Sequence, residues 1–133
     1  MLFPEDNMIV EIPVQDLAYV GDAVYELYVR QTCLLKFKLR PAELNRIVVQ
    51  YVNARFQAEA ANRISDVLSD DEANILRRGR NANPGTKAKN ATIGDYRMAS
   101  GLETLVGYIY LKQDFTRLEE LFEEIFAGEF YKV

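Results

Sequence analysis

One segment constrains the chain more than any other. From Asp95 to Lys112 the residues follow a helical pattern yet are apolar around most of the circumference. Met98, Leu102, Leu105 and Ile109 form one stripe, and Val106 and Leu111 widen it. A helix without a broad polar face is covered on most sides, so the rest of the chain is expected to pack around this one. Glu103 stands in its middle, with Ala99, Ser100, Val106 and Gly107 one turn away. No base on the same helix can neutralise it.

The flanking sequence supplies the partners. From about Val14 to Lys36, Leu17, Val20, Val24, Leu27 and Tyr28 recur at three- and four-residue spacing and predict an amphipathic helix. Lys36 to Arg40 reads as a basic connection, and Pro41 suits the first turn of a helix carrying Leu44, Ile47, Val48 and Tyr51. An alanine-rich helix follows over 54–64, after a bend near Asn53. Ser69 with Glu72 spells a capping box that opens a helix towards Arg80, and Thr116 with Glu119 spells another before Leu118, Leu121, Phe122, Ile125 and Phe126. Residues 1–13 read as an extended lead-in, with Pro4 and Pro13 opposing helix, and Asn81 to Ile93 reads as a loop around Asn-Pro-Gly. Strand patterns are absent. These features predict an all-α fold of about six or seven helices, in a single domain over residues 1–133.

The chain has no histidine. That excludes Ser-His-Asp and Cys-His hydrolysis, His-ligated zinc and imidazole acid–base chemistry. The single Cys33, followed by Leu34 and Leu35, reads as a small buried apolar residue. The first residues lack the basic and apolar regions of a signal peptide, and the apolar run Leu105 to Leu111 is too short to span a membrane. A cytoplasmic location is expected. Net charge is −4, but from Asp114 onward six acids oppose two bases, so the preceding residues are balanced. Within them Arg77, Arg78, Arg80, Lys87 and Lys89 form a cationic stretch without an acid, suited to the phosphates of a nucleic acid. The same run would also suit a solvated helix C-terminus.

Two carboxylates carry the chemistry. A buried Glu103 needs a partner from another element, since an unpaired buried carboxylate costs several kcal/mol or stays protonated. One solution is a core ion pair with Arg30, Arg55 or Arg97; the other is a cation shared with a second carboxylate. Asp22 on the first long helix is the candidate, on a face kept small by Ala18 and beside Gly21, a mid-helix glycine that implies close packing or room for a ligand. Two such oxygen ligands suit Mg²⁺, which keeps several waters and is completed by substrate phosphate.

Two stretches also carry a resemblance. Leu17-Ala-Tyr-Val-Gly-Asp-Ala-Val-Tyr-Glu-Leu27 resembles the aspartate motif of the ribonuclease III family, and Leu102-Glu-Thr-Leu-Val-Gly-Tyr-Ile-Tyr-Leu111 resembles its glutamate helix. With Arg77-Arg-Gly-Arg-Asn-Ala82, the pattern looks closest to the family's short Mini group, which has no appended double-stranded-RNA-binding domain. The resemblance implies a helical, homodimeric endoribonuclease that cuts RNA duplexes with Mg²⁺ or Mn²⁺. It also implies a role in maturing 23S ribosomal RNA precursor, aided by a ribosomal protein on the substrate. Asp22 and Glu103 become the catalytic metal ligands, and Glu26 and Ser100 candidate assisting residues beyond them, with Glu26 alternatively a simple salt-bridge partner. Longer family members carry a glutamate and an aspartate where this chain has Ala18 and Ser100. Tyr25, Tyr28, Tyr108 and Tyr110 are candidates for the dimer interface or for the core. The alternatives are a non-catalytic RNA-binding or ribosome-assembly domain, and a helical adaptor in which Asp22 and Glu103 lie far apart, each paired with a base.

Overall fold

The computed structural model describes residues 1–83 and 91–130. Among these are seven α-helices: α1 (Asp6–Ile9), α2 (Val14–Lys36), α3 (Pro41–Val48), α4 (Ala54–Ile64), α5 (Asp70–Ala82), α6 (Ile93–Leu111) and α7 (Phe115–Ile125). A 3₁₀ turn, Ser65–Val67, follows α4, and no strand occurs among the described residues. The all-α expectation holds. Helix α6 is the central element, packed against α2, α4, α5 and α7, and eight of its residues are buried, Leu102 and Leu105 completely. No helix among the described residues is long and apolar enough to cross a membrane.

Helix ends follow local chemistry, with four departures from the sequence reading. A short helix, α1, interrupts the predicted extended lead-in, between the two prolines that stop it on either side. Helix α6 begins two residues early, because Thr92 and Asp95 form a capping box in which each side chain accepts the other's backbone N–H. Helix α7 starts from Asp114, whose carboxylate accepts from the Arg117 N–H, so the predicted Thr116–Glu119 box is not the cap. Ser69 and Glu72 do cap α5 as expected.

The fourth departure concerns which face of α2 is inside. The buried residues are Leu17, Gly21, Tyr25, Val29 and Cys33, while Leu27, assigned to the apolar stripe, is exposed. The reason lies at the crossing with α6. A Cβ on Gly21 would sit 1.7 Å from the Glu103 carbonyl oxygen, and one on Gly107 would sit 2.0 Å from the Leu17 carbonyl oxygen. The backbones of α2 and α6 touch through these two glycines. No larger residue fits, and periodicity computed from hydrophobic side chains does not register glycine as a contact.

Around this crossing the core is aromatic. Tyr28 stacks on Phe122 at 4.2 Å, and the buried Tyr25 hydroxyl donates to the Tyr51 carbonyl. All four singled-out tyrosines thus pack within the chain, since Tyr110 meets Phe3 and Phe115, and Tyr108 takes Lys112 over its ring. Helix α7 buries Leu118, Leu121, Phe122 and Ile125 and leaves Glu119, Glu120, Glu123 and Glu124 in solvent. It is tied to α5 by Arg117, which donates to both carboxylate oxygens of Glu72 at 2.8 Å and to the Val67 carbonyl at 2.6 Å.

Two predictions follow from this packing. Gly21→Ala is expected to destabilise the protein by about 3 kcal/mol or more, since overpacking against backbone has no flexible side chain to yield. Gly94→Ala, whose Cβ meets nothing closer than 3.6 Å, gains roughly 0.5–1 kcal/mol of helix propensity; urea denaturation of the two variants gives opposite signs. Arg117 holds the Glu72 carboxyl below its ordinary 4.5, the hydrogen bond being the largest cause. That stabilisation is complete above the unfolded pKa and is lost as pH falls through the lower folded value. Wild type should therefore exceed Glu72→Gln by about 2 kcal/mol at pH 7, and the gap in melting curves should close as pH falls through the lowered folded value.

Candidate active site

Gly21 and Gly107 also set the register of the two acids. Asp22 directly follows Gly21 on α2, and Glu103 lies one turn before Gly107 on α6, its own carbonyl being the atom that Gly21 faces. The side chains of Asp22 and Glu103 meet within hydrogen-bonding range at the mouth of a cleft of about 580 Å³. The N-terminal part of α4 closes the far wall with Asn53, Arg55 and Gln57, and α6 adds Tyr96, Ala99 and Ser100.

The electrostatics are those of a site awaiting positive charge. Glu103's pKa is pushed up to about 9, first by burial, then by the hydrogen bond and like charge of Asp22; Gln57 opposes this weakly. Without a cation Glu103 therefore holds its proton at neutral pH. None of the arginines considered as its partner provides compensation. Arg30 pairs with Glu26 one turn away on α2 at 2.5 Å, and neither Arg55 nor Arg97 makes an ion pair among the described residues. Arg55 lies on the cleft wall, outside the ion pairs of the described residues.

Chemically, the pair offers two hard oxygen donors beside open space, and no cluster of three or more His, Cys, Asp or Glu occurs among the described residues. Such a sparse set fits Mg²⁺ or Mn²⁺, which retain waters and take further oxygens from a phosphate substrate. A divalent ion would offset both the burial and the like charge that favour the protonated form of Glu103. The residues present fit the group.

The remaining sequence-predicted positions are placed as follows. Ser100 lines the cleft, and its hydroxyl accepts from Asn83 Nδ2. Glu26 lies on the α2 face leading away from Asp22. Ala18 and Ser100 line a separate cavity of about 210 Å³ with Gly79, Asn83 and Thr104. Arg77, Arg78 and Arg80 sit on α5 outside the cleft; Arg77 donates to Asn74, and Arg80 to Asn81. Lys87 and Lys89 lie outside the described residues. Sequence reasoning passed over Gln57 and Tyr96 and weighed Arg55 only as a structural partner. None of the three sits in a motif; the return of α4 past α6 brings Arg55 and Gln57 to the acids, while Tyr96 stands two turns before Glu103 on α6 itself.

The Ribonuclease III domain model matches residues 15–114. A Mini-ribonuclease 3 of Staphylococcus aureus is 40% identical over 123 residues, covering 91% of this chain and 92% of the relative. A Mini-ribonuclease 3 of Thermoanaerobacter sp. (strain X514) is 45% identical over 108 residues, covering 80% and 75%. Among solved structures, the crystal structure of a Fusobacterium nucleatum protein superposes with a TM-score of 0.80 at 28% identity, over 87% of this chain and 89% of that one. With the domain match spanning both acids and the Mini relatives aligned over most of their length, the chain belongs to the ribonuclease III family, among its Mini-ribonucleases, and is an endoribonuclease.

Proposed function

We propose that this endoribonuclease cuts both strands of an RNA duplex with the help of a divalent cation, and that its biological substrate is 23S ribosomal RNA precursor in the cytoplasm, presented with a bound ribosomal protein. The observation that carries the catalytic part is the convergence of Asp22 and Glu103, some eighty residues apart in sequence, at one open cleft, with no ion pair to either acid among the described residues. The substrate class rests on kinship with the Mini-ribonucleases.

Asp22 and Glu103 would hold Mg²⁺ or Mn²⁺, with Glu26 and Ser100 the nearby polar groups able to assist. The bound ion would supply water activation and stabilisation of the departing oxygen. Attack in line on phosphorus leaves a 5′-phosphate and a 3′-hydroxyl. Arg55 faces the backbone of the strand entering the cleft, and its guanidinium can grip a non-bridging phosphate oxygen in two-pronged fashion. Arg77, Arg78, Arg80, Lys87 and Lys89 hold phosphates further along the duplex. An A-form helix is read largely through its shape, phosphates and 2′-hydroxyls, which needs no base-specific side chains.

Cutting both strands calls for two sites. Tyr19, Ala23, Leu27 and Leu34 form an exposed, largely apolar stripe along α2, beside Asp22. A second copy seated on this stripe gives a two-fold homodimer with two clefts related like the two strands of a duplex.

Asp22→Asn is expected to lower cleavage of a long RNA duplex by about 100-fold or more, with duplex binding retained in a gel-shift assay; wild-type rates for this variant at saturating Mg²⁺ would sink the assignment. Leu27 is 54% exposed, so Leu27→Asp should leave the fold intact while sedimentation shows a monomer. The duplex should then be nicked on one strand, and an unchanged dimer would place the interface elsewhere.

A further inference from the structure

Gln57 lies on α4, in the wall of the cleft that holds Asp22 and Glu103. It is 4% exposed and, with Thr104, one of two buried polar residues among those described. The two are treated differently. The Thr104 hydroxyl bonds to the carbonyls of Ser100 and Val14. Gln57 Nε2 is buried with no hydrogen-bond acceptor, and among the described residues it is the one side-chain atom left in that state.

A buried amide donor without a partner costs about 1–3 kcal/mol, and folded chains rarely leave one without a use. Gln57 lines the same cleft as Asp22 and Glu103, and the Glu103 carboxyl is the group its amide favours in the charged form, although Nε2 makes no complete hydrogen bond there. Glu103 thus stands between Asp22 and an unspent N–H donor. One carboxylate oxygen can be shared with Asp22 while the other accepts from the amide, which fixes the plane of the group. Partners of this kind orient a ligating side chain, and losing one typically weakens metal binding about 10–100-fold.

We infer that Gln57 is a positioning residue, whose side-chain amide donates to the Glu103 carboxylate in the cation-loaded site and holds it in register with Asp22. This rests on the function proposed above, since it assigns Gln57 to the same carboxylate. The contact is absent without the cation and made with it. Removing the donor therefore affects the two states in opposite directions, which a merely structural glutamine would not show.

The test uses Gln57→Met and Gln57→Leu, which keep a buried side chain of similar size and remove the donor. Melting temperature is measured in chelator and across a titration of MnCl₂, alongside cleavage of a long RNA duplex. In chelator both variants should melt at or above the wild-type temperature, because an unsatisfied donor has been replaced by an apolar group. The MnCl₂ concentration giving half of the melting shift should rise about 10–100-fold, and cleavage should approach the wild-type maximum when Mn²⁺ is saturating. An unchanged half-point overturns the inference, and so does a lower melting temperature in chelator for both variants, whatever the titration shows. If wild type itself neither shifts with MnCl₂ nor cuts the duplex, the function proposed above fails. If wild type does both and only the variants behave like it, Gln57 alone loses its role.

Discussion

Backbone contact between α2 and α6 is the constraint on which the rest of the structure depends. At the crossing, Gly21 faces the Glu103 carbonyl and Gly107 faces the Leu17 carbonyl, each at a distance that forbids a side chain. Close approach does more than fill space. It fixes the axial register of the two helices, and with it the one place where Asp22 and Glu103 can meet. Mid-helix glycine costs about 1 kcal/mol relative to alanine, so both helices give up some intrinsic stability at the point where the site is built. The loss is offset by the fully buried Leu102, Leu105, Tyr25 and Val29 on either side.

The chain handles two half-buried glutamates in opposite ways. Glu72 receives two hydrogen bonds from Arg117 and a backbone N–H from Ser69, and its pKa falls. Glu103 has another carboxyl for its neighbour and no cation, and its pKa rises to about 9. Three arginines, Arg30 on α2, Arg63 on α4 and Arg117 on α7, pair with carboxylates elsewhere among the described residues, so suitable bases exist in the fold. A structural role for Glu103 would call for the Glu72 solution. Its opposite, at the mouth of an open cleft, is what a site completed from outside by positive charge requires.

Much of this was legible in the sequence, and the failures share a cause. The centrality of α6 followed from its apolar circumference, and Glu103 was conspicuous as the one acid in its middle. The two motifs located Asp22. The buried face of α2 was misjudged because hydrophobic periodicity counts side chains, and the decisive contact there is made by a residue that has none. The start of α7 was misplaced because Asp114 and Thr116 are both competent caps, and the choice between them depends on where the chain leaves α6, at Gln113 with its φ of 61°. Gln57 was invisible for a different reason. Glutamine in an alanine-rich helix is ordinary, and only the packing of α4 on α6 turns it towards a carboxylate.

The small cavity beside the site carries the argument one step further. Ala18 and Ser100 stand where longer members of the family carry carboxylates, and here they line about 210 Å³ of space with Gly79, Asn83 and Thr104. Burial, reinforced by a single like-charged neighbour, already makes Glu103 hold its proton near neutral pH. Two more carboxylates within a few ångströms would add repulsion of the same sign, since like charges at about 4 Å cost several kcal/mol even at an effective dielectric near 20. Such a cluster is tolerable only with more positive charge bound. Replacing the pair by a methyl and a hydroxyl, the latter held by Asn83, lowers the positive charge the site needs. On the function proposed, the same exchange would leave more of the work of gripping the phosphate to Arg55 and the arginines of α5, whose charge is present whether or not a cation is bound.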